Sequence, residues 1–165
     1  MKRIVGILLL VWMLISMVTS CGFTVPRPEI NECEFDFSVT YEFNGEIKTV
    51  SGVYVCKYDG IDWSLEGGYR RAWAGYVKYG TPEEVILLET AEDGGEIELN
   101  LCFDPGYFMG DSHWKNEEPF TPIITVKLVS DGGLCFENNA DIIAETYGAK
   151  IISYEYNEPI ENSFN

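Results

Sequence analysis

The residues best suited to bind or transform a ligand lie in segment 104–114, which has neither helix nor strand periodicity. The segment contains the only histidine of the chain, His113, and an acidic neighbour, Asp111. It also contains three large aromatic residues: Tyr107, Phe108 and Trp114. If the segment is an exposed loop, these rings form a contact surface with Asp111 or His113 as the polar partner. If it folds back on the protein, the same rings cover the core, as large aromatic side chains usually do.

A second candidate surface lies around Arg71 and Trp73, in a stretch rich in tyrosine and tryptophan. On a strand, Tyr69, Arg71 and Trp73 share one face, whereas Arg70 lies on the other. An exposed guanidinium binds a carboxylate, and an exposed indole stacks on a sugar or a peptide. Packing of a guanidinium on an indole within the fold is the alternative that we favour. The predicted ligand-binding residues are therefore Arg71, Trp73, Tyr107, Phe108 and Trp114.

Composition and missing motifs exclude several kinds of chemistry. The chain has 11 basic and 27 acidic residues, a net charge of −16, so it lacks the positive surface that nucleic acid requires. One histidine excludes a multi-histidine zinc site, and the acidic pairs Asp59/Asp62 and Glu92/Asp93 do not match the calcium-loop pattern. A serine nucleophile elbow, a phosphate-binding glycine loop and a CxxC pair are also missing. We predict no metal, no cofactor and no catalytic residue.

The elements that position these residues begin with a clear β-hairpin. Apolar and polar residues alternate without a fault over positions 33–43, as a half-buried strand requires. Asn44-Gly45 follows, and both residues tolerate the positive φ of a two-residue hairpin turn. The second strand is predicted to run from residue 46 to about residue 58. A bulge at Gly52 would shift the register by one residue.

The same turn predicts how the cysteines pair. With a two-residue turn, Phe43 faces Glu46 and Cys33 faces Cys56, within the Cα separation that a disulfide needs. The remaining cysteines, Cys102 and Cys135, would form a second bridge by elimination. The alternative is that all four are buried thiols that behave as small apolar residues.

The rest of the chain predicts a mainly β domain of about seven to eight strands with one short helix. Glycine-rich turns separate further strands at residues 69–79, 85–91, 96–103, 121–130, 134–136 and 150–156. The helix is predicted at residues 140–147, with Asn139 as N-cap and Gly148 as the left-handed stop. These elements form a β-sandwich or a curved antiparallel sheet backed by the helix, and a barrel is the competing closure.

The N-terminus indicates where the protein is found. Lys2 and Arg3 precede an apolar run at residues 4–18, which is the length of a signal-peptide core. Val18-Thr19-Ser20-Cys21 then resembles the lipobox of bacterial lipoproteins, although Val18 and Ser20 differ from its commonest residues. The resemblance covers residues 1–21 only and implies cleavage before Cys21 and acylation of its thiol, for example with palmitate. An uncleaved anchor helix and an ordinary secretory peptide are the alternatives.

These features predict a signal peptide at residues 1–20, a lipidated tether at 21–32, one β-rich domain at 33–157 and a polar tail at 158–165. Residues 22–165 resemble only uncharacterised small lipoproteins of Gram-positive bacteria. We expect a protein held by Cys21 on the extracytoplasmic face of a cell membrane. Its domain is predicted to be a non-catalytic module that binds a glycan, a peptide or an envelope protein. The alternatives are a structural subunit of an envelope complex and a small hydrolase.

Overall fold

The computed structural model describes residues 25–65, 68–80, 84–90, 95–111, 119–130 and 133–165. These residues form eight strands and two short helices. The strands are β1 (Glu32–Phe43), β2 (Glu46–Ser64), β3 (Gly68–Tyr79), β4 (Val85–Thr90), β5 (Glu96–Phe103), β6 (Phe120–Ser130), β7 (Gly133–Glu137) and β8 (Ala149–Tyr156), and the helices are α1 (Pro105–Phe108) and α2 (Ala140–Tyr147). Cys21, the predicted signal peptide, His113 and Trp114 lie outside the described residues. Neither helix in these ranges is long and apolar enough to cross a bilayer.

The strands form two four-stranded antiparallel sheets, which confirms the predicted mainly β, sandwich-like fold. The first sheet has the order β3-β2-β1-β8 and the second β4-β5-β6-β7. Every pair of neighbouring strands is antiparallel. Each sheet ends in two edge strands, so the described strands form an open sandwich rather than a closed barrel.

The β1–β2 hairpin has the predicted register. Phe43 pairs with Glu46, and the ladder continues without a slip to the pair Cys33–Cys56. Gly52 lies opposite Phe37 in this regular ladder, so the bulge that could have shifted the register is not there. A Cβ atom on Gly52 would lie 2.0 Å from the Tyr79 carbonyl oxygen, so glycine is needed where β3 crowds β2.

The core lies between the two sheets and is rich in aromatic rings. Along β1 the inward residues alternate with outward ones, and the buried set is Phe35, Phe37, Val39, Tyr41 and Phe43. The Phe37 ring meets the second sheet at Phe103 and Phe120, with ring centroids 5.1 and 5.6 Å apart. Burying one such ring contributes about 1.5–3 kcal/mol, so the period-2 pattern of β1 stabilises the sandwich directly.

Helix α2 has the bounds and the caps that the sequence predicts. The Asn139 side chain accepts hydrogen bonds from the backbone N–H groups of Asp141 and Ile142, and Gly148 ends the helix with a φ of 60°. The Gly148 carbonyl also accepts a hydrogen bond from the Asn44 N–H at 3.0 Å. The helix is thereby fixed against the first hairpin, and its Ile143 side chain is buried in the core.

Helix α1 was not expected, because segment 104–114 lacks helical periodicity. The Asp104 side chain accepts a hydrogen bond from the Tyr107 N–H at 3.0 Å, and Pro105 occupies the first helical position. Both residues favour a helix start. One turn is too short to show a repeat of 3.6 residues, and only these start signals could have revealed it.

The first described residues, 25–31, pair with the C-terminal segment 158–165, so parts of the predicted tether and polar tail contact each other. Pro28 and Phe164 form an antiparallel bridge, and the Arg27 and Glu29 N–H groups donate to the carbonyls of Asn165 and Ser163. Further along, the Ile160 N–H donates to the Phe108 carbonyl at 3.0 Å. Residues 25–31 and 158–165 therefore belong to the folded domain. Backbone pairing of this kind leaves no periodic side-chain pattern in the sequence.

Candidate functional site

Two of the predicted ligand-binding residues, Arg71 and Trp73, meet at Asp111. The Asp111 carboxylate accepts hydrogen bonds from Arg71 Nε at 2.6 Å and Trp73 Nε1 at 2.7 Å, and Arg71 Nη2 donates to its other oxygen. The side chains of Arg71 and Asp111 are only 14% and 7% exposed. A carboxylate of the protein itself therefore occupies the place that a ligand carboxylate would need.

Arg71 also contacts the first described residues and the C-terminal segment. Its Nη1 donates to the Pro26 carbonyl at 3.1 Å, and its guanidinium carbon lies 3.9 Å from the centre of the Phe164 ring. We call Arg71, Trp73, Asp111 and Phe164 the arginine cluster. The cluster joins β3, the end of α1 and both terminal segments, so Arg71 and Trp73 have structural partners in place of the predicted ligand. The ring that packs on the guanidinium is Phe164 rather than the Trp73 indole of the packing alternative, and Trp73 meets Arg71 through the shared Asp111 carboxylate.

The aromatic residues of segment 104–114 have different environments. Phe108 is fully buried, and its ring lies 4.6 Å from Phe35 and 5.9 Å from Tyr54 between ring centroids. Tyr107 is half-buried, and Trp114 falls outside the described residues. The prediction of Phe108 as a contact residue is wrong, because α1 turns its ring into the core.

The four described cysteines are free thiols. Cys33 and Cys56 face each other as predicted, but Cys33 Sγ points to the Glu34 carbonyl, 3.9 Å away, and the predicted bridge is absent. A bridge between Cys102 and Cys135 is incompatible with the sheet. The two cysteines flank β6 on opposite sides, level with Thr121 and Leu128. Those positions are about 23 Å apart along the strand, whereas bridged Cα atoms lie within about 7 Å.

The buried Cys56 thiol predicts loss of stability at high pH. Burial, then the Cys33 thiol and the Asp104 carboxylate, raise the pKa of Cys56 from 9.0 to about 12. The unfolded chain releases this proton near its ordinary pKa and the folded chain retains it, so the free energy of unfolding decreases as pH rises. We expect no change below about pH 8.5 and a loss of about 1.4 kcal/mol per pH unit above 9 under reducing conditions. Burial also raises the pKa of Tyr54, which adds the same trend at higher pH.

Urea unfolding at a series of alkaline pH values checks this expectation. The Cys56→Ala variant should lose most of the slope that begins near pH 9. It should keep a smaller part, because burial and Glu84 also raise the pKa of Cys102, and the later part due to Tyr54. Equal slopes in both proteins would contradict the assignment. A wild-type slope that appears only with reductant would show that Cys33 and Cys56 are bridged under oxidising conditions.

An apolar groove of ≈ 280 Å³ lies between β6, β8 and α2. β7 pairs only with Val126–Ser130 of β6, and the groove lies beside the earlier part of that strand. The groove is lined by Pro122, Ile123, Ile124, Asn138, Ala140, Ile143, Ala149, Lys150, Ile151 and Tyr154. Its walls are mostly aliphatic, with three polar side chains. We call this surface the β6–β8 groove.

Three polar side chains line the groove beside its aliphatic walls. Lys150 Nζ lies 2.9 Å from Glu42 Oε2, so its charge already has a partner on β1. Within the described ranges no three histidine, cysteine or acidic side chains are grouped closely enough to hold a metal ion. The aliphatic walls of the groove can accept an apolar group, and Asn138, Lys150 and Tyr154 are its polar lining residues.

A second cleft of ≈ 280 Å³ at the other end of β8 is a weaker candidate. It is lined by Asp36, Phe37, Ser38, Glu155, Tyr156 and Asn157. Its central polar groups bond to each other, because the Asp36 N–H donates to the Asn157 side chain and the Asn157 N–H donates to the Asp36 carbonyl at 3.0 Å.

Sequence reasoning did not identify the β6–β8 groove. The one available signal is Pro122, because a strand accepts proline only where no partner strand needs its N–H. Pro122 therefore predicts that part of β6 is an unpaired strand edge, but it does not predict which element lies opposite that edge. No protein family, curated protein or solved structure matches this chain. The function must therefore be argued from the geometry of the chain itself.

Proposed function

We propose that this protein is a membrane-anchored, extracytoplasmic lipoprotein whose domain is a non-catalytic binding module. The lipobox-like residues up to Cys21 support the anchor. The β6–β8 groove is the observation that supports binding, and we assign it to an extended apolar segment of a peptide or of an envelope protein.

The size and lining of the groove favour an apolar peptide segment over the other ligand classes. Pockets for small molecules usually measure about 300–1,000 Å³, so a groove of ≈ 280 Å³ suits one or two aliphatic side chains. A glycan site would need exposed aromatic faces for stacking, but Tyr154 is the only aromatic residue that lines the groove. β8 is an edge strand of its sheet, so an extended chain can lie along it and place alternate side chains in the groove.

The charge of the domain favours a ligand with basic residues beside the apolar ones. Residues 1–20 contain two basic and no acidic residues, so the chain from Cys21 onward has a net charge of −18. A field of this sign attracts cationic peptides and repels acidic ones. The attraction increases the rate of encounter, whereas the aliphatic walls determine which segment stays bound.

A peptide of alternating leucine and lysine tests the proposal. At a hundred times its dissociation constant a ligand adds about 2.7 kcal/mol to the free energy of unfolding, so the melting temperature should rise by several degrees. Ile123→Arg places a charge in the groove and should abolish the rise. Ile152→Arg changes an exposed isoleucine that does not line the groove, and it should leave the rise unchanged.

A peptide of alternating serine and lysine separates groove binding from simple charge attraction. It has the same charge without apolar side chains, so it should leave the melting temperature unchanged. Equal shifts with both peptides, or with both arginine variants, would contradict the assignment of the groove.

A further inference from the structure

The second hairpin extends beyond the rest of its sheet. β1 stops pairing with β2 at Glu32–Lys57, but β2 and β3 stay paired as far as Ser64–Gly68. Residues 58–64 and 68–73 therefore form a two-stranded projection, which we call the hairpin arm. Because β1 does not reach it, the β2 edge of the arm has no third strand in the described sheet.

One face of the hairpin arm is apolar and exposed. Trp63 lies opposite Tyr69, and Ile61 shares their face because strand residues alternate. The exposed fractions at the end of the arm are large: Ile61 51%, Trp63 54%, Leu65 89% and Tyr69 62%. The opposite face carries a salt bridge, with Arg70 Nη2 3.6 Å from Asp62 Oδ2. The end of the arm is thus amphipathic. Its exposed apolar side chains lie towards that end, whereas Arg71, which is paired with Ile61 on the same face, is covered by the arginine cluster.

The described part of the chain begins beside the middle of this arm. The Pro26 carbonyl accepts its hydrogen bond from Arg71, and Arg71 is paired with Ile61. From that pair to the end of the arm at Ser64 is three residues, about 10 Å. Cys21 precedes Val25 by four residues, which span at most about 14 Å. A lipid anchor at Cys21 therefore holds the end of the arm within reach of the same membrane surface.

We propose that the apolar face of the hairpin arm lies in the interfacial region of the bilayer; this inference rests on the proposed lipid anchor at Cys21. Tryptophan and tyrosine favour the headgroup level, where the ring is apolar and the N–H or O–H stays hydrated. Leu65 and Ile61 reach the start of the acyl chains. With its turn the arm holds three acidic and two basic residues, so its net charge of −1 is small on a strongly acidic domain.

The occupant of this face is a lipid surface, and apolar contact drives the interaction. The acidic domain is repelled by anionic lipids, so charge does not favour the contact. When the arm docks, the domain contacts the membrane at a second point in addition to the acylated cysteine, and the two points together fix its orientation. Insertion should accordingly be stronger in zwitterionic vesicles than in anionic ones at low salt, and the difference should shrink as salt screens the repulsion.

Tryptophan quenching in the full, acylated chain tests this inference. Intact-mass measurement first establishes whether Cys21 is the acylated N-terminus. The protein is then reconstituted in phosphatidylcholine vesicles that contain a lipid brominated near the headgroup. We expect the brominated lipid to quench tryptophan emission, and Trp63→Phe to remove most of that quenching. Leu65→Asp should cause a similar loss, because it places a charge at the end of the arm.

Ile47→Asp is the matched control. Ile47 is an exposed apolar residue at the opposite end of β2, and its replacement should leave the quenching unchanged. If Cys21 is acylated but neither Trp63→Phe nor Leu65→Asp alters the quenching, the inference is overturned and the proposed lipid anchor is retained. A chain without acylation at Cys21 overturns both. A Trp63 that stays accessible to aqueous acrylamide on the vesicle also overturns it and directs the search to a protein partner.

Discussion

Replacing Asp111 by alanine is expected to lower the free energy of unfolding by about 3–5 kcal/mol, the usual effect of breaking a buried ion pair. The change leaves the Arg71 guanidinium buried with its charge uncompensated and removes the acceptor of the Trp73 N–H. Arg71 also donates a hydrogen bond to the Pro26 carbonyl and packs on Phe164, so the pairing of residues 25–31 with residues 158–165 should weaken as well. Urea unfolding of wild type and variant at neutral pH measures the difference.

Two further variants show whether burial causes this effect. Asp62→Ala breaks the neighbouring ion pair with Arg70, whose side chains are more than half exposed, and should cost no more than about 1 kcal/mol. The double variant Arg71→Met with Asp111→Leu removes both charges, so it should be more stable than Asp111→Ala. If Asp111→Ala cost as little as Asp62→Ala, Arg71 would be solvated and again a candidate for binding a ligand carboxylate.

Replacing Phe108 by alanine is the second large effect that we expect, again about 3–5 kcal/mol in the free energy of unfolding. The ring is fully buried and touches both sheets, through Phe35 and Tyr54 on one side and Phe103 on the other. Its removal leaves a cavity in the centre of the aromatic core. Thermal and urea unfolding of the purified variant measure the loss.

Tyr107→Ala is the matched comparison, because Tyr107 is the adjacent residue of α1 and is only half-buried. Its replacement should cost clearly less than that of Phe108. Peptide binding in the β6–β8 groove should persist in any Phe108 variant that remains folded, because Phe108 does not line the groove. A stable Phe108→Ala protein that no longer binds the peptide would contradict its placement in the core and restore the original prediction of a contact residue.

The parts of this fold that could be predicted are those that local sequence patterns specify. The alternation at residues 33–43 and the turn Asn44-Gly45 determined a hairpin whose register the structure confirms through to Cys33–Cys56. Asn139 and Gly148 likewise determined both ends of α2. Caps, turns and side-chain periodicity act over a few residues, so they can be read without knowledge of the fold.

The candidate site could not be predicted in this way. The residue types in segment 104–114 suggested an aromatic contact surface, but α1 turned Phe108 into the core. Arg71 was recognised as a carboxylate binder, and it does bind a carboxylate. That carboxylate is Asp111, forty residues away in the chain. Nothing local distinguishes an internal partner from an external one.

The sequence by itself determined the helix α2, the first hairpin register, the lipobox-like N-terminus and the approximate positions of the strands. β2 is the exception, because it continues to Ser64, beyond its predicted end near residue 58. The tertiary structure alone decided which strand edges face each other, and hence the β6–β8 groove, the pairing of the chain ends and the separation of Cys102 from Cys135. The reason is physical: strand formation depends on neighbouring residues, whereas the packing of two sheets depends on the whole core at once.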